Sequence, residues 1–161
     1  SLPGKHLGPL VSEAQYKRVQ ALIQSGIDEG ATVLTGGTGR ADTAEAGWFV
    51  RPTIFTDVRP DMRIVKEEIF GPVLCMQSFS DEAEAIRLAN DTNYGLAAYV
   101  NTPDRARARR IALELDAGMV LLNGATHSSR APFGGVKQSG NGREYSEEGL
   151  LEYLEVKVIS G

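Results

Sequence analysis

Over the first part of the chain, apolar residues recur with the period of a helix. Tyr16, Val19, Leu22, Ile23 and Ile27 fall on one face, which predicts a helix over 12–29. Ser12 stands at its N-cap with Gln15 three places on, the pattern of a capping box, and Val11 and Tyr16 hold the two staple positions. Gly30 is placed to end the helix in the left-handed region. A short strand is predicted over 32–34, ended by Gly36-Gly37. Residues 38–47 are small and polar, as in a surface loop. Residues 48–50 and 53–55 then read as two β pieces parted at Pro52, whose missing N–H suits an edge or a break.

From Val73 the pattern becomes regular. It predicts a strand over 73–79, a helix over 81–90 with Asp81 and Glu84 in capping positions, and a strand over 96–100. A helix over 103–115 follows, with Thr102 as N-cap and Pro103 at the first helical position. Gly118 is read as closing that helix, and 119–122 as the next strand. This alternation predicts an α/β fold, an open, mostly parallel twisted sheet flanked by helices, with right-handed crossovers. The runs 95–100 and 119–122 are apolar without alternation, the pattern of strands covered on both faces. Residues 123–143 form a long glycine-rich loop carrying Pro132, and loops of that kind usually carry function. A short helix over 146–153 and a strand over 156–159 end the prediction.

Composition narrows the classes. The chain has 161 residues, and 17 Lys and Arg against 21 Asp and Glu give a net charge of −4. That length can own one core. The acidic balance argues against nucleic acid as a partner, since such binders carry basic faces. No apolar run approaches the ~18 residues of a membrane span. The opening residues show no apolar stretch of the signal-peptide kind, and the chain does not begin with Met. A lone cysteine, Cys75, fits a reducing compartment, so the expected location is cytoplasmic. Eighteen glycines are more than average composition supplies, which draws attention to the long loop.

Candidate chemistry is sparse. In the loop Pro132-Phe133-Gly134-Gly135-Val136-Lys137-Gln138-Ser139-Gly140-Asn141-Gly142-Arg143, Gly135 and Gly140 have phosphate-loop spacing, but Asn141 stands where the lysine must be. The loop therefore reads either as backbone needing positive φ or as backbone held close to something. In Lys66-Glu67-Glu68-Ile69-Phe70-Gly71-Pro72 two carboxylates are adjacent, but neighbours in an extended segment point to opposite faces. At most one faces a site, and a carboxylate suits two ribose hydroxyls. Arg105, Arg107, Arg109 and Arg110 read as a solvated helix face. Cys75 lies in an apolar run and reads as a buried small residue. His6 and His127 lack metal-ligand spacing, and His127 stays a minor candidate for a substrate contact. No catalytic residue and no metal site is assigned.

Three sets of residues carry a resemblance. Glu67-Glu68-Ile69-Phe70-Gly71-Pro72-Val73 resembles the glutamate-containing turn of the NAD(P)-dependent aldehyde dehydrogenases. Asn93-Tyr94-Gly95-Leu96-Ala97-Ala98, and Asn123 with Pro132-Phe133-Gly134-Gly135 and Gly142-Arg143-Glu144, resemble later signatures of the same family. The likeness runs in order over nearly the whole chain, and it matches the C-terminal portion of the much longer family catalytic domain. It implies oxidation of an aldehyde to a carboxylic acid with NAD or NADP through a cysteine thioester. It also implies that nucleophile, general base, oxyanion amide and cofactor-phosphate contacts lie upstream, outside this chain. The resemblance assigns Glu68 to the nicotinamide-ribose hydroxyls and Phe70 to the nicotinamide as cofactor-binding residues. It assigns Phe133 and Asn123 to the aldehyde pocket as substrate-binding residues. Residues 1–153 would be catalytic-domain portion and 154–161 a terminal strand of oligomerisation type, making a homo-oligomer the expected assembly. Between Asn123 and Pro132 the chain is small and polar with one Arg130, so the aldehyde is left open. The alternative is a stand-alone, non-catalytic assembly or binding module of the same fold.

Overall fold

The computed structural model of the chain describes residues 7–41 and 46–161, and His6 lies outside the described residues. Packing divides the chain into two units, Ser1–Ser80 and Asp81–Gly161. The fold is α/β with open sheets, as the alternation of elements predicts. Among the described residues, two of the three strand pairings are parallel.

In the first unit the order is α1 (Glu13–Asp28), β1 (Thr32–Thr35), β2 (Thr53–Thr56), α2 (Arg63–Lys66) and β3 (Val73–Cys75). The Ser12 hydroxyl accepts from the Gln15 N–H at 3.2 Å, so the predicted cap of α1 forms. The staple does not: Val11 is 92% exposed. Gly30 takes φ 90° and turns the chain into β1. The sheet runs β1-β2-β3, antiparallel then parallel, with Thr53 beside Val73 and Phe55 beside Cys75. Residues 48–50 form no strand; only Val50 bridges, to Arg40. Pro52 marks a break just before the central strand, not an edge. Val19, Leu22 and Ile23 of α1 meet Phe55, Met62 and Ile64 in the core.

The second unit holds α3 (Glu82–Asn90), β4 (Ala97–Val100), α4 (Arg105–Glu114), β5 (Met119–Leu122), a 3-10 turn (Lys137–Ser139) and α5 (Ser146–Leu151). β4 and β5 pair in parallel, Ala97 beside Met119 through Val100 beside Leu122. Asp81 caps α3 by accepting from the Glu84 N–H at 2.8 Å. The cap of α4 is Asp104, not Thr102. Its carboxylate accepts from the N–H groups of Ala106 and Arg107, and a charged acceptor outcompetes a hydroxyl. Thr102 instead accepts from the Asp104 N–H. The arginine run is exposed, yet Arg107 and Arg110 each hold Glu82 at 2.7 Å.

Three further expectations fail. β3 stops at Cys75 and pairs with β2, so the predicted β3–β4–β5 sheet is two sheets. Residues 156–159 form no strand, and Val156, Val158 and Ile159 are 84–93% exposed. β4 is not covered on both faces: Tyr99 is 70% exposed. In the last two cases the apolar pattern is present while Tyr99, Val156, Val158 and Ile159 stay exposed.

Candidate functional site

The acidic turn of the first unit begins where α2 ends. Glu67 takes extended backbone, φ −101° and ψ 139°, so the two carboxylates part. Glu67 is half-buried; it accepts from Arg63 Nε at 2.8 Å and meets Arg18 Nη2 at 3.5 Å. The Arg63 hydrogen bond holds its carboxyl below the usual carboxylate value. What that pairing adds to stability is therefore full above the ordinary carboxylate range and fades as pH falls through the lowered value. Both partners are solvent-accessible, so the contribution is small. Glu68 is exposed, and its carboxylate faces solvent while its carbonyl accepts from Arg18 Nη2 at 3.2 Å.

Phe70, two residues on, has φ 54° and is 68% exposed. Left-handed backbone at a bulky residue costs of order 1–3 kcal/mol and persists only where its surroundings enforce it. Here the Gln15 side-chain amide donates to the carbonyls of both Ile69 and Phe70 at 3.1 Å. Gly71 then passes so close to α1 that a Cβ there would sit 2.8 Å from Val19 Cγ1. The result is an exposed apolar ring and, two residues before it, an exposed carboxylate with no partner among the described residues, both on a turn clamped to α1. An accessible diacceptor next to an exposed aromatic face fits a ribose diol attached to a planar ring.

In the second unit the long loop is stitched to the Asn93-Tyr94-Gly95 turn. The Gly95 carbonyl accepts from Gly118 and Val136, the Ser139 hydroxyl accepts from the Gly95 N–H, and Gln138 donates to the Asn93 carbonyl. Lys137 donates to the carbonyls of Asn90 and Thr92, and Arg143 Nη1 to those of Gly135, Asn141 and Gly142. Both cations therefore hold backbone. Gly134 and Gly135 are buried and lack positive φ. They answer the second of the two readings of this loop, close approach of backbone. A Cβ on Gly134 would lie 2.2 Å from the Gly142 carbonyl oxygen. Gly118 does not end α4, which finishes at Glu114 without a left-handed residue. Its Cβ would lie 2.0 Å from the Gly134 carbonyl oxygen. Gly118→Ala should destabilise the chain by about 3 kcal/mol, because backbone on both sides must move. An unchanged denaturation midpoint would contradict this packing.

Phe133 exchanges both backbone hydrogen bonds with Glu144 at 2.8 Å. Its half-buried ring stands edge-on to His127 (centroids 5.6 Å, 90°) and to Tyr145 (6.3 Å, 87°). His127 and Tyr145 also meet, at 5.8 Å. Pairs of this kind add about 0.5–1.5 kcal/mol beyond burial. Tyr145 and Ser146 both hold positive φ, which fixes Tyr145 in the cluster. Phe133, Leu96, Arg143, Glu144 and Tyr153 line an open groove. Asn123 has φ 52°, and its Oδ1 accepts from the Thr102 N–H at 2.8 Å, joining the ends of β4 and β5. Its side-chain oxygen thus already has a backbone partner. Arg130 is exposed.

Glu68 and Phe70 share one turn of the first unit; Asn123 and Phe133 belong to the second. Cys75 is half-buried, its thiol donates to the Ile64 carbonyl at 3.4 Å, and burial pushes its pKa up. That is the opposite of an activated thiolate. Among the described residues no cluster of His, Cys, Asp and Glu could hold a metal ion, and no helix is long and apolar enough to cross a membrane. Sequence reasoning missed Gln15, Arg18 and Tyr145. Gln15 reads as a cap partner, and its real contacts lie 54 and 55 residues away. For Tyr145 the available signal was an aromatic directly after Arg143-Glu144.

The aldehyde dehydrogenase family model matches residues 2–159. The chain is 51% identical over 156 residues to a 3-succinoylsemialdehyde-pyridine dehydrogenase of Pseudomonas sp, covering 97% of this chain and 33% of that one. It is 52% identical over 158 residues to the peroxisomal aminoaldehyde dehydrogenase 1 of Pisum sativum, covering 98% and 31%. Among solved structures, an aldehyde dehydrogenase of Bartonella henselae superposes with TM-score 0.92 at 53% identity, over 96% of this chain and 32% of that one. Aldehyde dehydrogenase C of Pseudomonas syringae, complexed with NAD+ and octanal, gives 0.92 at 51% identity, over 96% and 32%. The chain thus spans about a third of the length of the relatives it matches. With the motifs in order, the fold reproduced and the match running from end to end, the chain belongs to the aldehyde dehydrogenase family.

Proposed function

We propose that this chain supplies the nicotinamide-ribose wall and part of the aldehyde-pocket wall of an NAD(P)-dependent aldehyde dehydrogenase, and does not turn over aldehyde by itself. The observation that carries the reading is the clamped turn, with the exposed Glu68 carboxylate unengaged among the described residues and the Phe70 ring 68% exposed. Glu68 accepts hydrogen bonds from the ribose hydroxyls. Phe70 lies beside the nicotinamide ring and keeps water from one side. NAD(P)+, when bound, supplies the hydride acceptor. Phe133, braced by His127 and Tyr145, lines the aldehyde pocket, and Asn123 supports it through the end of β5. These residues position reactants, and positioning can supply up to ~7–11 kcal/mol of barrier reduction. Bond-making groups come from the remainder of the enzyme.

The enzyme works as a homo-oligomer in the cytoplasm, with an aldehyde as small-molecule partner. Residues 154–161 serve as the joining segment, supported by the outward Val156, Val158 and Ile159. So much exposed apolar surface seeks a partner. The 161-residue chain is therefore expected to self-associate, and light scattering that shows a strict monomer at high concentration would contradict this. The ribose role is tested by NAD+ affinity of the full-length enzyme carrying Glu68→Gln.

A further inference from the structure

We propose that Gln15 and Arg18 of α1 are positioning residues that hold the Glu68–Phe70 turn in its cofactor-receiving shape, a claim that rests on the function proposed above. Three consecutive carbonyls, of Glu68, Ile69 and Phe70, accept from these two side chains at 3.2, 3.1 and 3.1 Å. Gln15 and Arg18 are three residues apart, so they stand on one face of α1. Gln15 uses a single amide nitrogen, whose two N–H groups serve two neighbouring carbonyls. Arg18 divides the same nitrogen between the Glu68 carbonyl and the Glu67 carboxylate, which keeps Glu67 aside and leaves Glu68 open.

Three features show that the turn depends on this clamp. Phe70 holds φ 54°, a conformation that a free chain abandons. Gly71 is pressed on Val19 with no room for a Cβ, so the turn cannot rest nearer to α1. The neighbouring ladder bond, from the Thr53 N–H to the Pro72 carbonyl, begins only after Phe70. The carbonyls of residues 68–70 therefore need donors from outside the sheet, and α1 provides them. Without Gln15 the peptide between Ile69 and Phe70 is free to rotate, and the Glu68 carboxylate and Phe70 ring lose their common orientation.

The chemistry of the donor sets the test. Leucine matches glutamine in bulk but donates nothing. Glutamate keeps the shape but sets anionic oxygens against two carbonyls, which favours its neutral form and raises its pKa. Once protonated, that carboxyl donates one hydrogen bond again. NAD+ binding is measured by titration calorimetry on full-length enzyme containing this segment, as wild type, Gln15→Leu, Gln15→Glu and Glu68→Gln, alongside the thermal midpoint of each unliganded protein. Gln15→Leu is expected to weaken NAD+ about tenfold, the loss of two neutral hydrogen bonds. Gln15→Glu is expected to bind worse than Gln15→Leu at pH 8 and to recover toward wild type as pH falls into the carboxylic-acid range. Gln15→Leu binding NAD+ within about twofold of wild type, while Glu68→Gln binds weakly, would overturn the proposal; a lowered midpoint alone then marks a purely structural role. If Gln15→Leu does not fold, absence of the low-pH recovery in Gln15→Glu overturns it equally. Wild-type affinity in Glu68→Gln would overturn the functional reading itself, and this inference with it.

Discussion

Replacing Phe55 with alanine is expected to remove about 3–5 kcal/mol of stability, the usual range for truncating a fully buried aromatic. The ring has no solvent exposure and sits at the centre of the first unit's core, with Val19, Leu22 and Ile23 on the α1 side. Its Cζ lies 3.1 Å from where a Cβ on Gly26 would be, so helix and ring interlock and the site has little freedom to collapse. Total stability of a domain is about 5–15 kcal/mol, so this single change removes a large share. The functional consequence follows from geometry. α1 carries the Gln15–Arg18 clamp and packs Val19 against Gly71, so loosening the helix loosens the turn that presents Glu68. Urea denaturation checks the value: a midpoint shift equivalent to less than about 1 kcal/mol, at unchanged slope, would show that the core is not organised around Phe55.

Glu68→Gln is expected to weaken NAD+ binding about 10–150-fold in the full-length enzyme. A hydrogen bond to a charged group contributes about 1.5–3 kcal/mol net, and each 1.4 kcal/mol is a factor of ten. Glutamine keeps the shape and one acceptor but loses the charge and the second acceptor, so a ribose diol is held by one oxygen only. The neighbouring Glu67→Gln separates charge in general from charge in position. Glu67 is tied to Arg63 and Arg18 and faces away from Glu68's solvent side, so its loss is expected to change NAD+ affinity less than threefold. Calorimetry on both variants checks the pair, and equal losses would mean that the turn acts only as a patch of negative charge.

Local chemistry made some of this legible in sequence. The Ser12 and Asp81 caps, the Gly30 turn and the strands β4 and β5 are decided within a few residues, and they form, although the covering of both faces read for β4 does not. The parting of Glu67 from Glu68 follows from extended backbone alone. What stayed hidden is decided at long range or by competition. Asp104 displaces Thr102 because two N–H groups prefer a charged acceptor. Gly118 and Gly134 are glycines because two strands of backbone cross at a distance no periodicity reveals. Gln15 looked like a cap partner because its true partners, Ile69 and Phe70, are brought to it only by the folded unit. Tyr99 was read as a covered strand residue and 156–159 as a strand from their apolar pattern alone, and that pattern does not fix what lies against it.

Aldehyde-dependent production of NADH, followed by absorbance, shows whether the chain only positions reactants when it is measured on the purified 161-residue chain and on the full-length enzyme that contains it. No turnover above background is expected from the chain alone, and clear turnover from the full-length enzyme. Robust NADH production by the chain alone would contradict it, because nucleophile and general base would then have to lie among residues assigned here only to hold and orient.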